Sequence, residues 1–149
     1  MHDTVIIITG HGNYATGLKS SIQLIAGIID GVYAIDFKEN DSDISLKYKI
    51  KEILDKYPNS PVLIICDIVG GTPFKVAAEF AVSGDKKIEL VAGCNLSALL
   101  EIVLQKDKLS ITELAKLAVK TTKNSVLNFT QYNEHYKNDE GTEKMREGI

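Results

Sequence analysis

The chain has 149 residues, 44% of them hydrophobic and 25% charged, enough for one compact domain with its own core. Its formal charge of −3 and lone arginine, Arg146, leave no basic stripe to neutralise a phosphate backbone, which argues against a nucleic-acid partner. Its apolar stretches fall far short of the roughly 20 residues a membrane span needs, the N-terminus around His2 and Asp3 lacks a signal-peptide pattern, and Cys66 and Cys94 match no zinc spacing, so we expect a soluble cytoplasmic protein without direct membrane insertion.

The first apolar run, Thr4 to Thr9, ends in Gly10-His11-Gly12. An imidazole at a strand tip between two glycines is open to close approach by a large partner, because no adjacent side chain crowds it. Helical spacing follows over Thr16 to Ile28. The second run, Val32 to Phe37, carries Asp36 inside it and is expected near a sheet edge. A helix over Ser42 to Tyr57 comes next, with Leu46, Ile50, Ile53 and Leu54 as its apolar stripe and Ile44, Tyr48, Lys51 and Asp55 recurring beside it.

The third run, Val62 to Cys66, leads into a second loop, Asp67-Ile68-Val69-Gly70-Gly71-Thr72-Pro73. Thr72 reads as the cap of a helix over Phe74 to Val82, with Pro73 at the first helical position, where a missing N–H costs nothing. Gly84 and Asp85 close that helix. A fourth run, Ile88 to Ala92, precedes helices over Ser97 to Gln105 and Ile111 to Lys120, the latter opened by the capping box of Ser110 and Glu113. Ser125 to Phe129 then reads either as more helix or as a short edge strand. The domain is expected over residues 1–129, and residues 130–149 as a polar, loosely held tail.

Alternation of strand and helix, with nearly continuous apolar character in most strands, argues for an α/β fold with a doubly wound, mainly parallel sheet. In a four-stranded 2-1-3-4 order, ligands bind beyond the carboxyl ends of strands one and three, where the connections diverge. His11 leaves the first of these strands and Asp67 the other. Asp67 could then accept a hydrogen bond from one ring nitrogen, fixing the tautomer and leaving the second nitrogen as a nucleophile. Successive amides of Gly70, Gly71 and Thr72 before a helix make a place for an anion.

Each feature taken singly has a plainer reading: His11 a surface histidine, Gly70-Gly71 a turn, Asp67 and Thr72 caps. Convergence at one sheet edge favours the functional one. Other chemistries lose ground by what is missing. No Gly-Lys-Ser/Thr follows for a P-loop, position 15 is alanine where a dinucleotide fingerprint needs glycine, and no Gly-x-Ser-x-Gly elbow occurs. One histidine with one aspartate makes a poor metal site.

At these residues the chain resembles the enzyme IIA domains of the mannose class (mannose, fructose, sorbose) of the bacterial sugar phosphotransferase system. The resemblance rests on the apolar strand entering Gly10-His11-Gly12, on Ile35-Asp36-Phe37, on Cys66-Asp67 with Gly70-Gly71-Thr72-Pro73-Phe74, and on Val91-Ala92-Gly93-Cys94-Asn95-Leu96. It implies that His11 accepts a phosphoryl group from the phosphocarrier HPr and passes it to a histidine of an enzyme IIB, which phosphorylates sugar during uptake through membrane components IIC and IID. By matching position, Asp67 would hold Nδ1 so that Nε2 carries the phosphoryl group, and the amides of Gly70, Gly71 and Thr72 would receive its oxygens. No metal or other cofactor is implied. A homodimer is, with a C-terminal strand crossing to pair antiparallel at the partner's sheet edge, and Ser125 to Phe129 is where that strand is expected.

Some positions depart from the pattern: Ile68 and Val69 stand where many members have threonine and tryptophan, Thr72 replaces serine, and Ser97 replaces proline. These changes keep the phosphoryl chemistry and bear on the choice of IIB, which is expected as a separate polypeptide. Two further readings share the fold: a regulatory phosphoprotein domain controlling a protein partner, and a phosphoryl relay to dihydroxyacetone kinase. The transported sugar is not legible here.

Overall fold

A computed structural model describes residues 3–138. Strands β1 (Val5–His11), β2 (Val32–Phe37), β3 (Val62–Cys66) and β4 (Ile88–Ala92) alternate with helices α1 (Tyr14–Ala26), α2 (Asp43–Lys56), α3 (Thr72–Ser83) and α4 (Leu96–Gln105). Helices α5 (Ile111–Ser125) and α6 (Phe129–Asn138) follow. The sheet is all parallel in the order β2-β1-β3-β4, as the sequence led us to expect.

The pleat divides the buried residues between two layers. Ile6, Ile8, Leu63 and Ile65 point to one face and pack with Ala15, Ile22, Leu99, Ile102 and Leu114 of α1, α4 and α5. Their neighbours Val5, Ile7, Val62 and Ile64 point to the other, against Leu46, Ile50, Val76 and Ala77 of α2 and α3. Burial on both faces explains why β1 and β3 are apolar at nearly every position rather than at alternate ones. Asp36 marks β2 as one edge of the sheet, and Glu89 gives β4 the same signature at the other.

This layering positions the loops that matter. The chain leaves β1 for α1 on one face and leaves β3 for α3 on the opposite face. The two connections therefore diverge from adjacent strands, and a crevice opens at their carboxyl ends.

Two expectations change. Strand β1 runs through His11 rather than stopping at Thr9, because Gly10 and His11 continue in register with Asp36 and Phe37 of β2. Ser125 to Phe129 is not a strand in this chain: Ser125 ends α5, where its hydroxyl accepts from Asn95 Nδ2 at 2.8 Å. Asn128 caps the next helix, its side chain accepting from the Gln131 amide at 3.1 Å. Residues 130–138 lie in helix α6, and the rest of the segment expected as a tail, residues 139–149, lies outside the described residues, as does His2.

Candidate functional site

His11 ends β1 with its side chain 46% exposed, and the Asp67 carboxylate beside it is 14% exposed. A carboxylate only accepts, so its 2.6 Å contact with His11 Nδ1 places the ring proton on Nδ1. The same Asp67 Oδ2 accepts from the His11 backbone N–H at 2.9 Å, and Oδ1 accepts from the Ile68 N–H at 2.9 Å. Burial alone would raise the Asp67 carboxyl. The donors from His11 and Ile68 outweigh it and hold the group below the ordinary carboxylate value. Asp67 is thus an anion fixed by three N–H groups, and it presents one histidine tautomer.

Nε2 hydrogen-bonds to none of the described residues and remains available as a nucleophile. The ring is held from two further directions. Phe37 of β2 meets it edge-on, with centroids 5.7 Å apart and planes at 87°. Gly71 comes so close that a Cβ on it would lie 2.8 Å from His11 Cε1.

That approach explains a shift at the start of α3. Thr72 is not the cap: Gly71 is, in extended backbone, and Thr72 and Pro73 are the first two helical residues, with no side chain capping the helix. A hydroxyl-bearing residue cannot stand at the cap position without its Cβ striking the imidazole. Lys75 is the first α3 residue to donate inside the helix, to the Gly71 carbonyl at 3.0 Å. The preceding N–H groups of Thr72 and Phe74 are left without helical acceptors beside the ring, and Pro73 has none to offer. Gly70 adopts φ 84°, the left-handed region that glycine takes without strain, and turns the chain into this arrangement.

The residues picked out by sequence, His11, Asp67, Gly70, Gly71 and Thr72, therefore come together at one end of the sheet. Two neighbours were missed. Phe37 reaches the ring only through the β1–β2 register. Tyr14, three residues after His11, covers Gly10 so closely that a Cβ there would meet Tyr14 Cδ1 at 2.5 Å and Asp67 Cγ at 2.9 Å. Its hydroxyl donates to the Cys94 carbonyl at 3.1 Å, tying α1 to the loop after β4, and burial pushes the phenol above its ordinary range.

Cys66 and Cys94 are both buried free thiols. Among the described residues, no three or more His, Cys, Asp or Glu side chains are grouped to hold a metal ion, and no helix is long and apolar enough to cross a membrane.

Comparison with known proteins gives the family and the fold. A family model described as "PTS system fructose IIA component" matches residues 5–119. The chain is 34% identical over 110 residues to a PTS fructose-specific EIIA component of Bacillus subtilis, covering 73% of this chain and 75% of that protein. It is 30% identical over 115 residues to a sorbose-specific EIIA component of Lacticaseibacillus casei, covering 77% and 83%. Among solved structures it is similar to a phosphotransferase system EIIA component from Streptococcus agalactiae, with TM-score 0.80, 31% identity and coverage of 86% and 98%. A mannose/sorbose-specific IIA subunit from Enterococcus faecalis gives TM-score 0.78, 26% identity and coverage of 86% and 95%.

Proposed function

The chain belongs to the mannose-type enzyme IIA family of the sugar phosphotransferase system, and from that premise we propose that His11 is its phosphoryl carrier, loaded by phosphorylated HPr and unloaded onto a histidine of an enzyme IIB. The observation that carries this reading is the 2.6 Å contact between His11 Nδ1 and Asp67, which leaves Nε2 beside the start of α3 as the nucleophile.

In the loading step the Nε2 lone pair attacks the phosphorus of the donor's phosphohistidine. A new P–N bond forms as the donor's P–N bond breaks, and the donor imidazole leaves with the electron pair. The Nδ1 proton stays between His11 and Asp67, whose charge stabilises the ring as it becomes cationic. The amides from Gly70 to Thr72 receive the phosphoryl oxygens, in keeping with the open N-terminus of α3. Unloading reverses these bonds with the IIB histidine as nucleophile. The work is positioning and electrostatics, which phosphoryl transfer chiefly requires.

Ile68 and Val69, 55% and 75% exposed on the loop beside His11, supply an apolar surface on which protein partners can seat. Exposed Val126, Leu127 and Phe129 support a homodimer joined through the segment after α5. Incubating the protein with phosphorylated HPr and its cognate IIB, with labelled phosphate, tests the reading. Label is expected to appear on IIB only when this protein is present. Label that reaches this protein but none of the IIB proteins encoded with it would point instead to regulation of a partner.

A further inference from the structure

Asp36 has no part in the route above, yet both of its carboxylate oxygens are engaged by Thr16. Helix α1 begins three residues after His11 without a cap of its own: Asn13 makes no side-chain cap bond, and the first turn contains no acid. The acceptor comes from the neighbouring strand instead. Asp36 Oδ1 accepts from the Thr16 N–H at 3.0 Å, and Oδ2 accepts from Thr16 Oγ1 at 2.6 Å. Thr16 is the third residue of α1, the position whose N–H an N-cap side chain ordinarily serves. Asp36 is therefore a cap supplied by another strand, with its negative charge at the positive end of the helix.

Its place in the sheet gives this cap a consequence for His11. Asp36 lies in register with Gly10, and Phe37 with His11, while the Gly12 N–H donates to the Phe37 carbonyl at 2.8 Å. The segment carrying His11 is thus fastened to β2 before the ring by the ladder and after it by the Asp36 carboxylate. Only Gly12 and Asn13 separate β1 from α1, so a displacement of the helix start has two residues in which to dissipate before it moves the imidazole.

We propose that Asp36 is a positioning residue for phosphoryl transfer: with Thr16 it clamps the start of α1 to β2 and thereby fixes the His11 ring where Nδ1 meets Asp67 and Nε2 faces the start of α3. The clamp also occupies donors at the N-terminus of α1, while α3, which no side chain caps, keeps its own open beside the ring. This inference rests on the relay reading given above.

The test pairs NMR correlation of the His11 ring nitrogens in the unphosphorylated protein with transfer kinetics from phosphorylated HPr. Asp36→Ala is expected to give ring shifts displaced from the wild type and a kcat lowered about tenfold or more, with KM for phosphorylated HPr within about twofold. Asp36→Asn, which can still accept from the Thr16 N–H, is expected to recover part of both. Thr16→Val removes only the hydroxyl bond and carries the test if Asp36→Ala does not fold, with Thr16→Ser expected to restore wild-type behaviour. A wild-type ring spectrum or an unchanged kcat in the folded variant would overturn the clamp. If the wild-type protein took no phosphoryl group at all, the relay reading would fail, and the ring spectrum alone would judge the clamp.

Discussion

Gly71 decides how near the third helix can come to the imidazole. Its backbone angles, φ −73° and ψ 171°, are ones alanine adopts readily, so Gly71→Ala has no conformational reason to unfold the protein. The methyl would nevertheless stand 2.8 Å from His11 Cε1. The half-exposed ring yields before the packed helix does. Gly71→Ala is expected to keep the wild-type unfolding midpoint to within a few degrees while slowing phosphoryl uptake by on the order of 10²-fold. A mass-spectrometric time course against phosphorylated HPr checks this, and wild-type uptake would mean that the ring works without this contact. The same closeness explains what the sequence did and did not disclose. His11, Asp67 and the glycines were legible because strand-tip glycines flag close approach. Phe37 and Tyr14 were not, because an ordinary aromatic near a strand end announces nothing until sheet register brings Phe37 to the ring and helix α1 lays Tyr14 over Gly10.

Helix and strand boundaries were legible wherever local chemistry governs them. The Ser110 and Glu113 capping box stands as expected, the Ser110 N–H donating to the Glu113 carboxylate at 2.8 Å. Leu46, Ile50, Ile53 and Leu54 are the buried stripe of α2. Reading failed where a neighbour overrides the local signal. Thr72 has the residue type of a cap, yet the imidazole leaves room there only for glycine. The start of α1 is governed the same way, since Asp36 serves its N-terminus from β2, which no local signal in that helix announces. The segment after α5 has the apolar residues of a strand and instead links two helices, because Ser125 and Asn128 fix the helix ends on either side.

At the scale of the molecule, the alternation of elements conveyed a doubly wound parallel sheet, and the expected 2-1-3-4 order, which the structure has, put the crevice between β1 and β3. Packing over the sheet carries a pH dependence of its own. Burial, reinforced by the neighbouring Asp67 and Cys94, pushes the Cys66 thiol up to about 12 from its ordinary value of 9.0, and burial raises Cys94 as well. The native chain holds these protons where the unfolded chain releases them. The Cys66 contribution is complete below pH 9 and is lost progressively as pH rises toward 12. The urea midpoint is expected to fall with pH above 9 in the wild type and to fall less steeply in Cys66→Ala; parallel slopes would refute that origin.

The proposed relay rests on one nitrogen of one residue, Nε2 of His11. Intact mass after incubation with phosphorylated HPr is the direct measurement, made on the wild type and on His11→Ala. The wild type is expected to gain the mass of a single phosphoryl group and lose it in acid, as a phosphohistidine does, while His11→Ala gains nothing. Labelling of His11→Ala to the wild-type extent would contradict the assignment.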